Sequence, residues 1–192
     1  MAEALVRSET PSEYFRELVE SALHHQHLAA RELTAFYLVN LLTGFVHIDR
    51  IDDSEQPLGV RLAHALQDAG IRQRDGLRQV GDLSLFISGF FADSLNGRLV
   101  DVDYYIQLGE CAYRSLSKQD ATFGEVFGEL SDKFPAFVDV LGEVSEQSAL
   151  ASNSDVLRLY EKWVRTKSRR SGDLLVARGI VPNASVGSRF IQ

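Results

Sequence analysis

Five residues near the start of the chain have the types and spacing to bind a metal ion. Glu13, Glu17, Glu20, His24 and His27 recur at intervals of three and four. Carboxylates and imidazoles at that pitch share one side of a helix and can ligate zinc or another transition metal, with Glu20, His24 and His27 as the compact set. The same pitch weighs against the site. With roughly 100° between successive residues, the stripe lies opposite Phe15, Val19 and Ala22 and should face solvent. Dimetal carboxylate bundles instead aim their ligands into the core and need a second carboxylate–histidine pair, which this sequence lacks.

His47 and Asn40 pose a different possibility, because they fall on a segment that is apolar almost all round, where His64 and Tyr37 could approach them. A buried imidazole beside aromatic rings can be an axial haem ligand or a base with a displaced pKa, so His47 and His64 are the candidate cofactor residues. A hydrogen-bonded core histidine is the commoner outcome. Cys111, beside Glu110, reads as a small core residue, since a neighbouring carboxylate disfavours the thiolate. The sequence has no Gly-x-Gly-x-x-Gly, no phosphate-binding Gly-Lys-Ser/Thr loop, no Gly-x-Ser-x-Gly, no His-Glu-x-x-His and no Cys-x-x-Cys, which weighs against an enzyme.

Charge carries the more specific signal. Arg158, Lys162, Arg165 and Arg169 fall at i, i+4, i+7 and i+11, with Lys167 and Arg170 beside them. They form a basic ridge along one helical face. Between Gln119 and Ala149 there are seven acids against one base, Lys133. Opposite signs on consecutive helices can simply rim an antiparallel hairpin with ion pairs, each worth about 0–1 kcal/mol. The functional alternative makes Arg158, Lys162, Arg165, Arg169 and Arg170 a partner-binding surface for an acidic protein. Nucleic acid is disfavoured, because no aromatic residues interleave with the arginines, Trp163 lies on the apolar stripe, and the net charge is −7.

The elements that must position these residues read as helices. Thr10-Pro11-Ser12-Glu13 combines a capping box with a proline in the first turn, and Phe15, Leu18, Val19 and Ala22 give that helix one apolar stripe. The segment from about 29 to 46 predicts a central, buried helix. Val60 to Leu66 predicts a shorter helix that Gly70 should end. From about 75 to 95 the spacing of Leu77, Val80, Leu83, Ile87 and Phe91 predicts helix over strand. Asp101 or Asp103 should cap the next helix, and Asp120 should open the one after it. Phe123, Phe127, Leu130, Phe134, Phe137, Leu141 and Val144 alternate fours and threes as a heptad-like bundle seam, which Pro135 should kink or split into two helices. Any part of the seam left uncovered would be an association face, with a homodimer as its simplest use. Ser152 to Asp155 offer caps for a last long helix carrying Val156, Leu159, Tyr160 and Trp163.

At 192 residues with 45% hydrophobic side chains and one cysteine, the chain can bury a full core without disulfides. The expectation is an all-α, single-domain bundle of about seven or eight helices over 1–182, with a mobile tail at 183–192. Met1 to Thr10 lacks a secretory signal, and the uncharged stretch Leu33–Ile48 is too short to span a bilayer, which suits a cytoplasmic protein. The functional expectation is a non-enzymatic helical interaction module in a regulatory or adaptor role, binding a protein partner and self-associating. A buried haem or metal cofactor is the alternative.

Overall fold

Side-chain caps at Thr10 and Asp101 open two of the helices in the computed structural model, which describes residues 10–47, 56–95, 101–148, 163 and 169–177. Helix α1, Pro11–His25, opens with the full capping box: the Glu13 amide donates to Thr10 Oγ1 at 3.2 Å, and Glu13 Oε2 accepts from the Thr10 amide at 2.9 Å. The Thr10 amide and then the Thr10 hydroxyl, both donating to Glu13 Oε2, hold the Glu13 carboxyl below its ordinary range. The helix closes in a Schellman motif. The Leu28 amide donates to the Leu23 carbonyl and the His27 amide to the His24 carbonyl, with His27 in the left-handed region at φ 51°.

Helix α2 spans Glu32–His47 and α3 spans Leu58–Gln67. Gly70 does not end α3; it opens α4, Gly70–Phe90, at φ +63°, a backbone conformation that favours glycine. A single turn, α5, Ala92–Leu95, follows, and α6 covers Val102–Ser117 with Asp101 as its cap, accepting from the Tyr104 amide at 3.1 Å. Asp120 accepts from the Thr122 and Phe123 amides, and α7 then runs Gly124–Asp132. The expected interruption at Pro135 is present: Lys133 separates α7 from α8, Phe134–Gln147, which carries the proline in its first turn, where its missing amide costs nothing. The last described helix, α9, is Arg169–Ala177. The described residues thus form an all-α bundle, without strands.

The central helix is α4, not α2. It packs on α3, α6 and α8 and buries Leu77, Val80, Leu83, Leu85, Ile87 and Phe90. Glycines permit the close crossings: a Cβ on Gly81 would stand 2.5 Å from the Tyr113 ring, and one on Gly109 would enter the Phe134 ring. The sequence expectation for α2 is corrected at its outer face, where Leu33 and Phe36 are 58% and 61% exposed. Asn40 is exposed there too. Sequence composition hides this because α2 needs only its inner face, Leu38, Val39, Leu41 and Leu42, to anchor on α1 and α7.

The seam is covered within the chain. Phe127, Leu130, Phe134, Phe137, Leu141 and Val144 are all buried, and of the seam only Phe123 stands exposed, with α4 packed on α8 and α6 on α7. Leu175 is buried and Trp163 packs against the core, whereas Leu174 is exposed. The expected caps at 152–155 and the tail at 183–192 lie outside the described residues.

Candidate functional site

The acids of α7 and α8 converge on the α1–α2 hairpin. Glu129 Oε2 accepts from the Arg31 amide at 3.1 Å and from Thr34 Oγ1 at 2.6 Å. It supplies from another helix the acceptor that the first turn of α2 lacks. Its other oxygen takes Lys133 Nζ at 2.8 Å, and that ammonium also donates to the Ala29 carbonyl. Burial alone would raise the Glu129 pKa, but the bonds from Lys133, Thr34 and the Arg31 amide outweigh it and hold the carboxyl below its ordinary value. Glu125 pairs with Arg31 at the surface.

One helix later, Glu143 repeats the arrangement. It accepts from Gln26 Nε2 at 2.8 Å and from Gln147 Nε2 at 3.0 Å, and His25 Nδ1 lies 3.0 Å away. The Gln26 bond first, then burial in opposition, then His25, leave its pKa lowered.

Beside this clasp lies a groove of about 560 Å³ between α1, α4 and α8. Its floor is Gly89, Phe90, Ala92, Val138 and Gly142, and its rim is polar: Gln26, Asp139, Glu143, Glu146 and Gln147. Asp139, Glu143 and Glu146 follow one another at i, i+4 and i+7 along α8. Asp139 and Glu146 are exposed. Neither side chain has a hydrogen-bond or ion-pair partner among the described residues. The groove is therefore an acidic trough with an apolar base, suited to cationic groups on aliphatic stems.

A second polar cluster lies where α2, α4 and α6 meet. Asp82 Oδ1 accepts from Tyr37 at 2.5 Å and from Tyr113 at 2.8 Å, and Arg78 Nε lies 3.7 Å from Oδ2. The Arg78 guanidinium also sits over the Tyr37 ring, 5.7 Å from its centroid. Burial raises the Asp82 pKa against the two phenol bonds, and burial followed by the Asp82 charge pushes both phenols above their usual range. The Asp82 side chain keeps only 22% of its exposure. With donors from two other helices meeting one carboxylate, the cluster serves as a polar pin through the bundle.

Compared with known protein families, curated proteins and solved structures, the chain matches none.

The residues singled out from sequence are mostly dispersed. Glu20, His24 and His27 are exposed, Glu20 faces Arg16 at 3.5 Å, and His27 occupies the helix-terminating position of α1. Among the described residues no three His, Cys, Asp or Glu side chains gather as a metal site. His64 is exposed on α3 rather than buried, because the inner face of that short helix is taken by Leu62 and Ala65. Tyr37 binds Asp82, not a histidine. The His47 side chain, Arg158, Lys162 and Arg165, and the side chains of Arg169 and Arg170 lie outside the described residues. Cys111 is half-buried against the core. Among the described residues no helix is long and apolar enough to cross a membrane.

Sequence reasoning passed over Asp82 and the clasp carboxylates. Asp82 had a signal, as a single acid among Val80, Leu83 and Leu85 with Arg78 one turn before it. Glu129 and Glu143 showed only their local i,i+4 partners, Lys133 and Gln147, because Thr34 and Gln26 are 95 and 117 positions away.

Proposed function

We propose that this protein is a non-enzymatic protein-interaction module with a regulatory or adaptor role, which binds a protein partner and also self-associates. The observation that carries the reading is the outer face of α2. Leu33 and Phe36 are exposed side by side, one turn apart, on a helix whose opposite face is locked in the core. Large apolar side chains placed together on a rigid element are the usual anchors of a protein interface. The helical spacing of Arg158, Lys162, Arg165, Arg169 and Arg170 in the sequence supports a second surface of opposite character, for an acidic protein face. An adaptor needs two such unlike surfaces. A single cysteine suits a reducing, cytoplasmic setting.

The test is site-specific photocrosslinking in cells that naturally make the protein, with a benzophenone amino acid replacing Phe36. A discrete protein adduct is expected there and none when the probe replaces exposed Gln79. Leu33→Ser introduced with the Phe36 probe should weaken the adduct while leaving the circular dichroism melt unchanged. Equal labelling at positions 36 and 79 would overturn the reading of α2.

A further inference from the structure

We infer that Thr34 and Tyr37 are positioning residues for the outer face of α2, fixing the rotation of that helix so that Leu33 and Phe36 meet solvent together. The inference rests on the proposed docking role of that face and names what sets it. Two neighbouring inversions carry it. Thr34 is fully buried while Leu33 before it is mostly exposed, and Tyr37 is half-buried while Phe36 before it is mostly exposed. At each step the side chain with the hydroxyl lies inward and the purely apolar one lies outward, the reverse of what burial favours. In both cases a carboxylate on another helix receives the hydroxyl. Thr34 Oγ1 donates to Glu129 of α7 at 2.6 Å, and the Tyr37 phenol donates to Asp82 of α4 at 2.5 Å. The Tyr37 ring also stands edge-on to Phe127, their centroids 5.4 Å apart.

Apolar burial does not select this rotation, because α2 is apolar almost all round. At about 100° per residue, a turn of about 40° in one sense brings Leu33 to the place Tyr37 holds around the helix and moves Val39 outward. A turn of about 60° in the other sense brings Phe36 to the place of Val39 and moves Leu41 outward. Each turn exchanges a buried side chain, Val39 or Leu41, for one of the exposed pair, so the apolar area removed from water changes little. Hydrophobic contact has no direction, whereas a hydrogen bond weakens steeply once its angle falls below about 120°. Two such bonds, from positions three residues apart to carboxylates on different helices, admit one setting. Either turn also breaks the pair, since it takes one of Leu33 and Phe36 inward and leaves the other in water. The hydroxyls thus act as a polar residue does in a coiled-coil seam, choosing the register of a surface that apolar packing leaves undecided.

The experiment is hydroxyl-radical footprinting with mass spectrometry on the full chain, read at Leu33, Phe36, Val39 and Leu41. One variant combines Thr34→Val with Tyr37→Phe, which keeps the outline of both side chains and removes only the hydroxyls. Glu129 then retains the Arg31 amide and Lys133, and Asp82 retains Tyr113, so neither carboxylate is stranded. The wild type should react at Leu33 and Phe36 and be protected at Val39 and Leu41. In the variant, with helicity unchanged by circular dichroism, one of the exposed pair should slow by about twofold or more while Val39 or Leu41 quickens. A merely structural role for the hydroxyls would quicken all four sites together, and that result, or a footprint equal to that of the wild type, would overturn the inference. Thr34→Ser with Tyr37 intact keeps both hydroxyls and should keep the wild-type footprint; a reciprocal shift there would place the effect in packing and also overturn it. If the double variant does not fold, the two single substitutions are read in the same way. A reciprocal shift in a protein that gives no crosslink at position 36 would uphold the setting of α2 and remove the docking reading. An unshifted footprint in a protein that does crosslink there would remove the setting and leave the docking reading standing.

Discussion

Asp82 illustrates how much one carboxylate can hold together. Two phenols from different helices, Tyr37 and Tyr113, donate to the same oxygen. Removing that oxygen strands two largely buried hydroxyls, and each unsatisfied group costs about 1–3 kcal/mol. Asp82→Ala should therefore lower stability by about 2–4 kcal/mol in urea unfolding. Asp82→Asn, which keeps an acceptor and carries no charge to desolvate, should stay within about 1 kcal/mol of wild type. The two also differ in pH dependence. Burial raises the folded-state pKa of Asp82, so its contribution is full below the unfolded value and is lost as pH rises through the folded one. The stability of Asp82→Asn relative to wild type should accordingly improve as pH rises across that window. A flat difference would show that Asp82 is ionised equally in both states.

At the scale of the element, the end of α1 holds the only non-glycine residue with positive φ among those described, His27. A left-handed backbone costs a residue with a Cβ about 1 kcal/mol relative to glycine. His27→Gly should thus raise the thermal midpoint, and added zinc should shift the midpoints of wild type and variant alike. A zinc-dependent stabilisation confined to the wild type would restore His27 as a ligand. Local chemistry of this kind is what the sequence makes legible. The Thr10 box, the Asp101 cap, the split at Pro135 and the seam from Phe127 to Val144 all depend on residues within a few turns of one another. Exposure of α2 was not legible, since Leu33 and Phe36 match Leu38 and Leu42 in composition, and only the arrangement of neighbouring helices decides which pair meets water. The candidate site was half legible. The acidic row on α8 stands in the sequence, whereas its groove depends on α4 meeting α8 at Gly89 and Gly142.

Across the whole molecule, carboxylates join the first two helices to the last part of the bundle. Glu129 and Glu143 both have lowered pKa values. Their stabilisation is complete above the ordinary glutamate range and is lost as pH falls through the lowered folded values. Mild acid should therefore loosen α1 and α2 before α4 and α6. Hydrogen exchange would register this as protection lost first at the start of α2, with Glu129→Gln reproducing the loss at neutral pH by about tenfold in exchange rate. Uniform loss over all helices would instead mean that the hairpin and the remaining bundle open as one unit.

The separation in sequence of these joined groups has a consequence for synthesis. Arg31 meets Glu125 across 94 positions, and His25 meets Glu143 across 118. At about 5–20 residues per second, the ribosome takes roughly 5–20 s to make the missing partners after the hairpin has been translated. Throughout that interval α1 lacks α8 and α2 lacks α7, and the hairpin can reach only itself and α4, through Tyr37 with Asp82 and Phe45 on Phe86. The α1–α2 hairpin completes its docking only once α7 and α8 have been made, and holdase chaperones in the cell have that window in which to bind it.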